Sequence, residues 1–304
     1  MRDNAASERI KRAAVVSLGS TILVVAFKLT AAALTGSVSV LAEALQSLLD
    51  VFMSILVVWS VRFAAVPPDE DHPYGHGKAE LLTSAFQMLL VLITAGVIVW
   101  QSALRMTSPR EIEPFWGIVA LSYAVVANGI VVFYLRKIST KEKSSALEGE
   151  VEHLKSDTLA SVGILAGLVA VSLTNWHPLD PIVAVVFTAS GAFFAFRQLQ
   201  KVIHPLMDGS LPKSDIEVLE RVLNTHADVR GYHNLQTREA GNIRYVGLHV
   251  MLDDDLSFVQ AHDLAEHIET ELSTALGGAH VTLHYEPFEA ELQHREQEHR
   301  EPRH

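Results

Sequence analysis

Cysteine is absent from this chain of 304 residues, and its absence removes two kinds of chemistry. There can be no disulfide framework and no thiolate metal site, and cysteine usage does not indicate whether the protein's compartment is oxidising or reducing. The 15 histidines are therefore the only strong nitrogen ligands that the chain offers to a metal ion. An HExxH motif and a glycine-rich phosphate-binding loop ending in GKS or GKT are also missing, which argues against that type of metalloprotease and against a process driven by ATP.

The chain has fewer basic than acidic residues. It has 24 lysines and arginines against 35 aspartates and glutamates, a formal net charge of −11 at pH 7. A nucleic-acid partner requires a basic surface that neutralises phosphates, so this balance argues against one. Hydrophobic residues make up 49% of the chain and are concentrated between Ala14 and Leu199, whereas the part from Asp208 to His304 is polar and acidic.

The apolar part of the chain contains six long hydrophobic runs. They cover residues 13–34, 38–62, 80–104, 115–136, 146–174 and 180–200. About 20 apolar residues in a helix cross a hydrocarbon core ~30 Å thick. A buried helix of a globular protein could explain one such run, but six in series with short joints predict a membrane all-α bundle of six transmembrane helices. Met1 to Arg12 is polar and the run after it is long enough to span a membrane, so no cleavable signal peptide is expected.

Most lysines and arginines near the predicted spans lie in alternate joints, which sets the orientation by the positive-inside rule. They precede the first span and occupy the joints between spans 2 and 3 and between spans 4 and 5: Arg9, Lys11, Arg12, Arg62, Lys78, Arg136, Lys137, Lys141 and Lys143. Arg105 and Arg110, in the outer joint between spans 3 and 4, are offset by Glu111 and Glu113. Both termini are therefore predicted to be cytoplasmic, and the bacterial inner membrane is the expected location.

After His204-Pro205 the pattern changes to that of a small α+β domain. Helical and alternating periodicities predict the order αββαβ, of the ferredoxin-like or metallochaperone-like kind. The predicted elements are a helix at 213–225, strands at 232–239 and 244–252 about a Gly241-Asn242 turn, a helix at 260–275 and a strand at 279–285. The predicted domains are 1–207 in the membrane and 208–288 in the cytoplasm, followed by a charged tail at 289–304 that is expected to be disordered.

Polar side chains inside two of the spans form pairs four residues apart. His153 and Asp157 lie on one face of span 5, and Gln46 and Asp50 lie on one face of span 2. Such groups cost several kcal/mol in a membrane and indicate function by default. Both pairs fall roughly 12–18 Å along their helices, near mid-membrane, and together they offer one nitrogen and three oxygens to a divalent transition ion. The alternative is that Gln46 and Asp50 only form hydrogen bonds between helices.

These pairs, the joint Asp-Glu-Asp-His-Pro-Tyr-Gly-His-Gly-Lys-Ala-Glu at 69–80 and the Leu206-Met207-Asp208 junction resemble the cation diffusion facilitator family of divalent-metal transporters over nearly the whole chain. The resemblance implies a homodimer of six-span subunits, not an enzyme, that exports metal from the cytoplasm in exchange for protons by alternating access. It also implies that the C-terminal domain is a metal-sensing dimerisation module, with lipid, protons and divalent ions as the other partners.

The resemblance implies two further metal sites. One comprises Asp69, His72 and His76 in the joint, where Gly75 and Gly77 would let the backbone fold tightly; an acidic, solvated loop is the alternative. The other is a binuclear site in the C-terminal domain, in which a glutamate stands where a relative has aspartate. Its residues are His233, His249, His262, His284 and Glu286. Ordinary surface histidines are the alternative for any one of these positions.

Other matching positions carry less weight. Lys78 and Asp208 match a charge pair that links the membrane and soluble parts of relatives. Glu43, three residues before Gln46, either receives the released ion or faces water, and His280 is a possible addition to the soluble cluster. Tail histidines, which could scavenge metal, are expected to be solvated: His294, His299 and His304.

One position departs from the family pattern. Zinc members usually have aspartate or histidine where this chain has Gln46, and an amide oxygen is a neutral, weaker ligand. We therefore expect Zn²⁺ as substrate and regulatory ion, with Co²⁺ or Ni²⁺ next. A membrane-tethered metal sensor that binds without transporting is the alternative function. An intramembrane metal hydrolase is disfavoured because the four residues leave no spare general base.

Overall fold

A computed structural model describes residues 4–108, 111–142, 145–241 and 243–292 of the chain. Six long helices come first, and each contains a segment long and apolar enough to cross a membrane. They are α1 Asn4–Thr35, α2 Val38–Ala64, α3 Lys78–Thr107, α4 Pro114–Glu142, α5 Ser145–Thr174 and α6 Leu179–Leu206. The six predicted runs are thus confirmed, and most of the helices extend a few residues beyond them.

The chain divides into two compact units. The first is built from the chain up to Leu56 together with Phe86–Leu199, and the second from Val57–Ala85 together with the chain from Gln200 onward. The first unit therefore contains most of the apolar helical length, and the second contains the joint between α2 and α3 as well as the C-terminal domain.

Within the first unit, α4 packs against both α1 and α5. Leu121 of α4 and Leu168 of α5 are almost completely buried between these helices. Gly117 makes the close approach possible, because a Cβ atom there would lie 2.5 Å from the Leu168 side chain. In contrast, Phe133 and Leu173 are more than 75% exposed. Apolar side chains that point outward are expected where lipid, not water, surrounds the helices.

A buried carboxylate caps the start of α2. Asp180, in the first turn of α6, accepts hydrogen bonds from the backbone N–H of Val38 at 2.7 Å and from the hydroxyls of Ser37 and Ser39, both at 2.5 Å. Negative charge is favourable at a helix N-terminus, where backbone N–H groups lack partners within the helix. Asp180 therefore fixes the beginning of the helix that carries Gln46 and Asp50.

The C-terminal domain has the order αββαβ, which confirms the fold predicted from periodicity. Its elements are α7 Lys213–Leu223, β1 Val229–Ala240, β2 Ile243–Leu252, α8 Phe258–Ala275 and β3 His280–Pro287. The sheet order is β1-β2-β3, with β1 antiparallel and β3 parallel to β2. Its core includes Leu219 of α7, Leu248 of β2 and Ile268 and Leu272 of α8, so both helices contribute to one hydrophobic layer.

The ends of the predicted strands and tail differ in detail. Gly241 has φ +65°, as a tight hairpin requires, whereas Asn242 lies outside the described residues. Residues 288–292 form a short helical segment, in which the Glu289 N–H donates to Asp254 at 3.0 Å. The disorder expected from Glu289 is therefore wrong for 289–292. The remainder of the tail, with its three histidines, lies outside the described residues.

The joint between α2 and α3 lies directly against the β1–β2 hairpin. A Cβ atom on Gly77 would be 2.7 Å from the Ala240 carbonyl oxygen, and one on Gly241 would be 2.8 Å from the Gly77 Cα. Both positions therefore need glycine for a backbone-to-backbone contact. Gly75, with φ +78°, provides the other sharp bend of the joint.

Candidate metal centres

The membrane helices bring three of the four predicted ligands into one cluster. Asp50 of α2 and His153 and Asp157 of α5 can each point one ligand atom so that all three lie within 4.8 Å of one another. The His153 Nε2 atom is 3.6 Å from Asp157 Oδ2. Gln46 is adjacent, but its amide nitrogen faces Asp50 Oδ1 at 3.4 Å. Its amide would have to turn over to present the oxygen to an ion.

Two cavities meet at this cluster. One, of about 310 Å³, is lined by Asp50, His153 and Asp157 together with polar residues of α1 and α4. The other, of about 440 Å³, is lined by Gln46 and Asp157 together with residues of α3 and α6. Asp157 therefore lines both cavities, and each of the four predicted ligands lines at least one of them.

A buried ion pair lies beside the cluster. The Nζ atom of Lys28, on α1, is 2.8 Å from Glu43 Oε1 and donates to Ser47 Oγ at 3.1 Å. Ser161 of α5 donates to the same glutamate, whose side chain is only 3% exposed. Glu43 is therefore buried, and the expectation that it faces water is wrong. The sequence reasoning missed Lys28, although a single lysine inside an apolar run is a signal for function.

The joint between α2 and α3 carries a second cluster, formed by Asp69, His72 and His76. The two Asp69 oxygens lie 3.4 Å from His72 Nδ1 and from His76 Nε2. His76 is buried, and its Nδ1 is 3.3 Å from the Val66 carbonyl oxygen. A carbonyl oxygen can only accept, so Nδ1 donates to it, and Nε2 is the ring nitrogen that faces Asp69.

Electrostatics also favour an ionised Asp69. The His72 backbone N–H donates to Asp69 Oδ1 at 2.7 Å, and this hydrogen bond lowers the pKa of the carboxyl group below its usual range, with further help from the two imidazoles. The joint is thus a folded turn that places two imidazole nitrogens and a carboxylate close together.

The predicted Lys78–Asp208 pair is present and has a third member. Lys78 Nζ donates to Asp208 Oδ1 at 2.9 Å, and Arg238 donates to the same oxygen at 3.2 Å. These two hydrogen bonds, that of Lys78 first, lower the pKa of Asp208. Arg238 also lies over the rings of Tyr74 and Tyr245, at 4.1 and 4.8 Å from their centres. Charge and cation–π contacts therefore join the α2–α3 joint to the sheet.

The C-terminal sheet aligns three histidines in a row across its strands. In the strand register, His233 of β1 pairs with His249 of β2, and His249 pairs with His284 of β3. Glu286 lies among them, with its oxygens 2.8 Å from His233 Nε2, 2.8 Å from His249 Nδ1 and 3.3 Å from His284 Nε2. Asn234 Nδ2 lies 3.2 Å from His249 Nε2. Strand pairing therefore brings residues that are distant in sequence into one compact cluster of nitrogen and oxygen atoms.

Glu286 is the centre of this cluster. Its partial burial works against ionisation, but hydrogen bonds from His233 and His249 outweigh that effect and lower the pKa of the carboxyl group. A carboxylate held ionised between imidazoles supplies the charge that a divalent cation needs. The residues present therefore fit a bound transition metal.

The structure does not bring two other candidates into the row. His262 lies in the first turns of α8, with its Nε2 3.7 Å from Glu266 Oε1, and it is exposed. His280 stacks on the ring of Tyr245, with centres 5.4 Å apart. Within one chain, His262 does not contact the row of histidines, and its role as a ligand stays a prediction. His280 contacts Tyr245 at another place on the sheet.

The chain matches two family models. Residues 14–207 match the cation efflux transmembrane domain, and residues 211–288 match the cytoplasmic domain of cation efflux proteins. An uncharacterized transporter of Synechocystis sp. is 33% identical over 91% of this chain and 90% of its own length. The cation-efflux pump FieF of Cronobacter sakazakii is 31% identical over 91% of this chain and 93% of its own.

Among solved structures, the metal-bound C-terminal domain of the CzcD transporter from Thermotoga maritima is similar to part of the chain. It has 24% identity and a TM-score of 0.24, and the match covers 24% of this chain and 87% of that one. The two family models together cover most of the sequence, and the relatives match it nearly end to end. The chain therefore belongs to the cation diffusion facilitator family and is an integral-membrane cation efflux transporter.

Proposed function

We propose that this transporter exports Zn²⁺, and with lower preference Co²⁺ or Ni²⁺, from the cytoplasm in exchange for protons. The observation that carries the proposal is the cluster of Asp50, His153 and Asp157 within the membrane helices. Bond lengths of ~2.0–2.2 Å put two ligands of a tetrahedral zinc ion about 3.4 Å apart. The 3.6 Å between His153 Nε2 and Asp157 Oδ2 is close to that value.

The donor set favours a borderline transition ion over a hard one. Mg²⁺ and Ca²⁺ prefer oxygen ligands only, whereas imidazole suits Zn²⁺, Co²⁺ and Ni²⁺. His153 supplies that imidazole, Asp50 and Asp157 supply charge, and the amide oxygen of Gln46 completes the set once it turns toward the ion. His153 is then the main metal-selecting ligand of the transport site.

Exchange for protons follows from the same ligands. Carboxylates bind metal when ionised and imidazole binds when neutral, so an entering cation displaces the protons that these groups hold. The exchange keeps the charge buried at mid-membrane roughly constant, which lowers the cost of moving an otherwise isolated charge there. The two cavities that meet at Asp157 support alternating access to one site.

The other two clusters are assigned supporting roles. We assign a transient cytoplasmic site to Asp69, His72 and His76, and a regulatory zinc site to the row of His233, His249, His284 and Glu286, with His262 as a further ligand. The match to the cytoplasmic domain of cation efflux proteins supports a homodimer in which these domains associate. Basic joints support an inner-membrane protein with both termini in the cytoplasm.

The test is metal-dependent proton flux in proteoliposomes under an imposed pH gradient. Asp157→Asn and Asp50→Asn are each expected to abolish zinc-driven proton movement, because each removes a charged ligand. Glu152→Gln is the matched control, since it removes a carboxylate from the same helix whose side chain is 66% exposed and is paired with Lys155. Wild-type flux in both aspartate variants would disprove the assignment of the site.

The same vesicles separate the individual parts of the proposal. Uptake compared among zinc, cobalt, nickel, manganese, iron and cadmium ranks the substrates, and an equal response to all six would contradict selection by His153. Zinc uptake without any change of internal pH would refute the proton exchange while leaving zinc transport intact.

A further inference from the structure

A third group of metal-ligating side chains lies on the helical layer of the C-terminal domain. His226 follows α7, and His267 and Glu271 lie one turn apart on α8. One ligand atom from each residue falls within 4.8 Å of the others. His226 Nε2 is 2.8 Å from Glu271 Oε2, and the rings of His226 and His267 meet edge to face with centres 5.6 Å apart.

The backbone holds these side chains in place. His226 lies in a turn in which its N–H donates to the Leu223 carbonyl oxygen at 3.3 Å and its own carbonyl oxygen accepts from the Val229 N–H at 3.2 Å. Its side chain is only 15% exposed, so the imidazole has little freedom. His267 and Glu271 share one face of α8 because they are four residues apart, the spacing that also joins His153 to Asp157.

The hydrophobic core fixes where that face points. Ile268 and Leu272, the neighbours of His267 and Glu271 in sequence, are completely buried in the core that α7 and α8 share with the sheet. The two ligating residues therefore lie at the edge of this buried stripe, against the turn that follows α7. A simple His–Glu hydrogen bond accounts for His226 and Glu271, but it leaves the second imidazole at the same point without a role.

We propose that His226, His267 and Glu271 form a further binding site for a divalent transition metal such as Zn²⁺. Two imidazole nitrogens and one carboxylate are a common zinc donor set, with water in the remaining position. Tetrahedral zinc would need its ligand atoms about 3.4 Å apart. The His226–Glu271 pair must open slightly from 2.8 Å to reach that spacing and His267 must move closer, and the exposed side chains on α8 are free to do so.

This site is separate from the histidine row on the sheet. The row is built from strands β1, β2 and β3, whereas this site joins the turn after α7 to α8. An ion here would cross-link α8 to the turn that follows α7 and would bind only when the two are packed together. Binding to the folded form alone stabilises it by RT ln(1 + L/Kd), where L is the free zinc concentration, so the stabilisation grows with the logarithm of that concentration. The site would make the helix layer itself responsive to zinc.

The test is a histidine footprint on the full-length, metal-stripped protein in detergent micelles. Diethyl pyrocarbonate modifies accessible imidazoles, and peptide mass spectrometry reports each histidine separately as zinc is added. We expect His226 and His267 to become protected together, at one micromolar-range half-point. Glu271→Gln should raise that half-point at least tenfold. Glu266→Gln, a matched substitution on an exposed carboxylate of α8, should leave it unchanged.

Two further variants make the result decisive. His267→Gln should remove zinc protection from His226, whereas Glu286→Gln, which damages the sheet row, should leave protection of His226 and His267 intact. The proposal fails if the two histidines are protected at different zinc concentrations, if protection needs millimolar zinc, if Glu271→Gln behaves like Glu266→Gln, or if Glu286→Gln abolishes it. Hydrogen–deuterium exchange at 226–229 gives a second measurement, and zinc should slow it in the wild type but not in Glu271→Gln.

Discussion

Replacement of Lys28 by methionine tests whether the buried ion pair beside the transport site supports the fold of the membrane domain. The Lys28 and Glu43 side chains are only 2% and 3% exposed, and their charged atoms are 2.8 Å apart. Methionine fills much of the same volume but carries no charge. Glu43 would keep the hydroxyl of Ser161, while its Oε2 has no hydrogen-bond partner among the described residues. Lys28→Met thus leaves a buried carboxylate without its cation.

Removing one partner of a buried pair costs about 3–5 kcal/mol, because the remaining charge is uncompensated. We expect Lys28→Met to fall in that range. Glu43→Gln should cost less, because Lys28 keeps its contact with Ser47 and lines a cavity that also contains Asp50. The double variant should lie within about 1 kcal/mol of the wild type, since removing both charges of a buried pair is often close to neutral.

The measurement is reversible unfolding in mixed micelles, followed by tryptophan fluorescence as the denaturing detergent is increased. The four proteins form a double-mutant cycle, and the expected double-variant loss is far smaller than the sum of the two single losses. A Lys28→Met protein within about 1 kcal/mol of the wild type would refute the reasoning, because it would mean that water or another group already compensates Glu43. Additive losses would refute the pairing itself.

Three other predictions concern selectivity, packing and pH. Gln46→Asp should tighten metal binding in general and raise transport of the harder ion Mn²⁺ relative to Zn²⁺; an unchanged metal profile in vesicles would show that Gln46 is not a ligand. Gly77→Ala should cost about 1–3 kcal/mol by overpacking against the hairpin and accelerate hydrogen exchange there, whereas Gly19→Ala, with open space around it, should not. Asp208 has a lowered pKa in the folded state, so its stabilising contribution is complete above the usual aspartate pKa of about 3.9 and is lost as the pH falls through the folded-state pKa. Hydrogen exchange at 206–210 should show this acid sensitivity, and Lys78→Met should weaken it.

Local pattern was sufficient to predict the architecture. Long apolar runs and alternating strands gave six membrane helices and the αββαβ order, because these periodicities arise from each segment on its own. The pairs on α2 and α5 could be found for the same reason, since residues four apart share a helical face. Gln46 shows the limit, because spacing places its side chain but does not decide whether oxygen or nitrogen faces Asp50.

Contacts between distant segments were harder to predict. Lys28 and Glu43 meet only because α1 packs beside α2, and His226 and His267 meet only because α7 packs beside α8. The row of histidines was found through a resemblance, and its geometry depends on strand register that sequence does not fix. His262 matches the same pattern, but no described contact within one chain joins it to the row.

The ion pair of Lys28 and Glu43 has an electrical consequence for the proposed transport cycle. The two charges sum to zero, so the pair adds no net charge to the carboxylates of Asp50 and Asp157, with which Lys28 shares a cavity. With a divalent cation bound, the net charge of the site would be zero. The empty site would carry two negative charges unless protons replaced the ion. Each charge moved across the full membrane potential requires about 2.3 kcal/mol per 100 mV. Voltage would therefore act little on the loaded transporter and mainly on the return of an empty, unprotonated one.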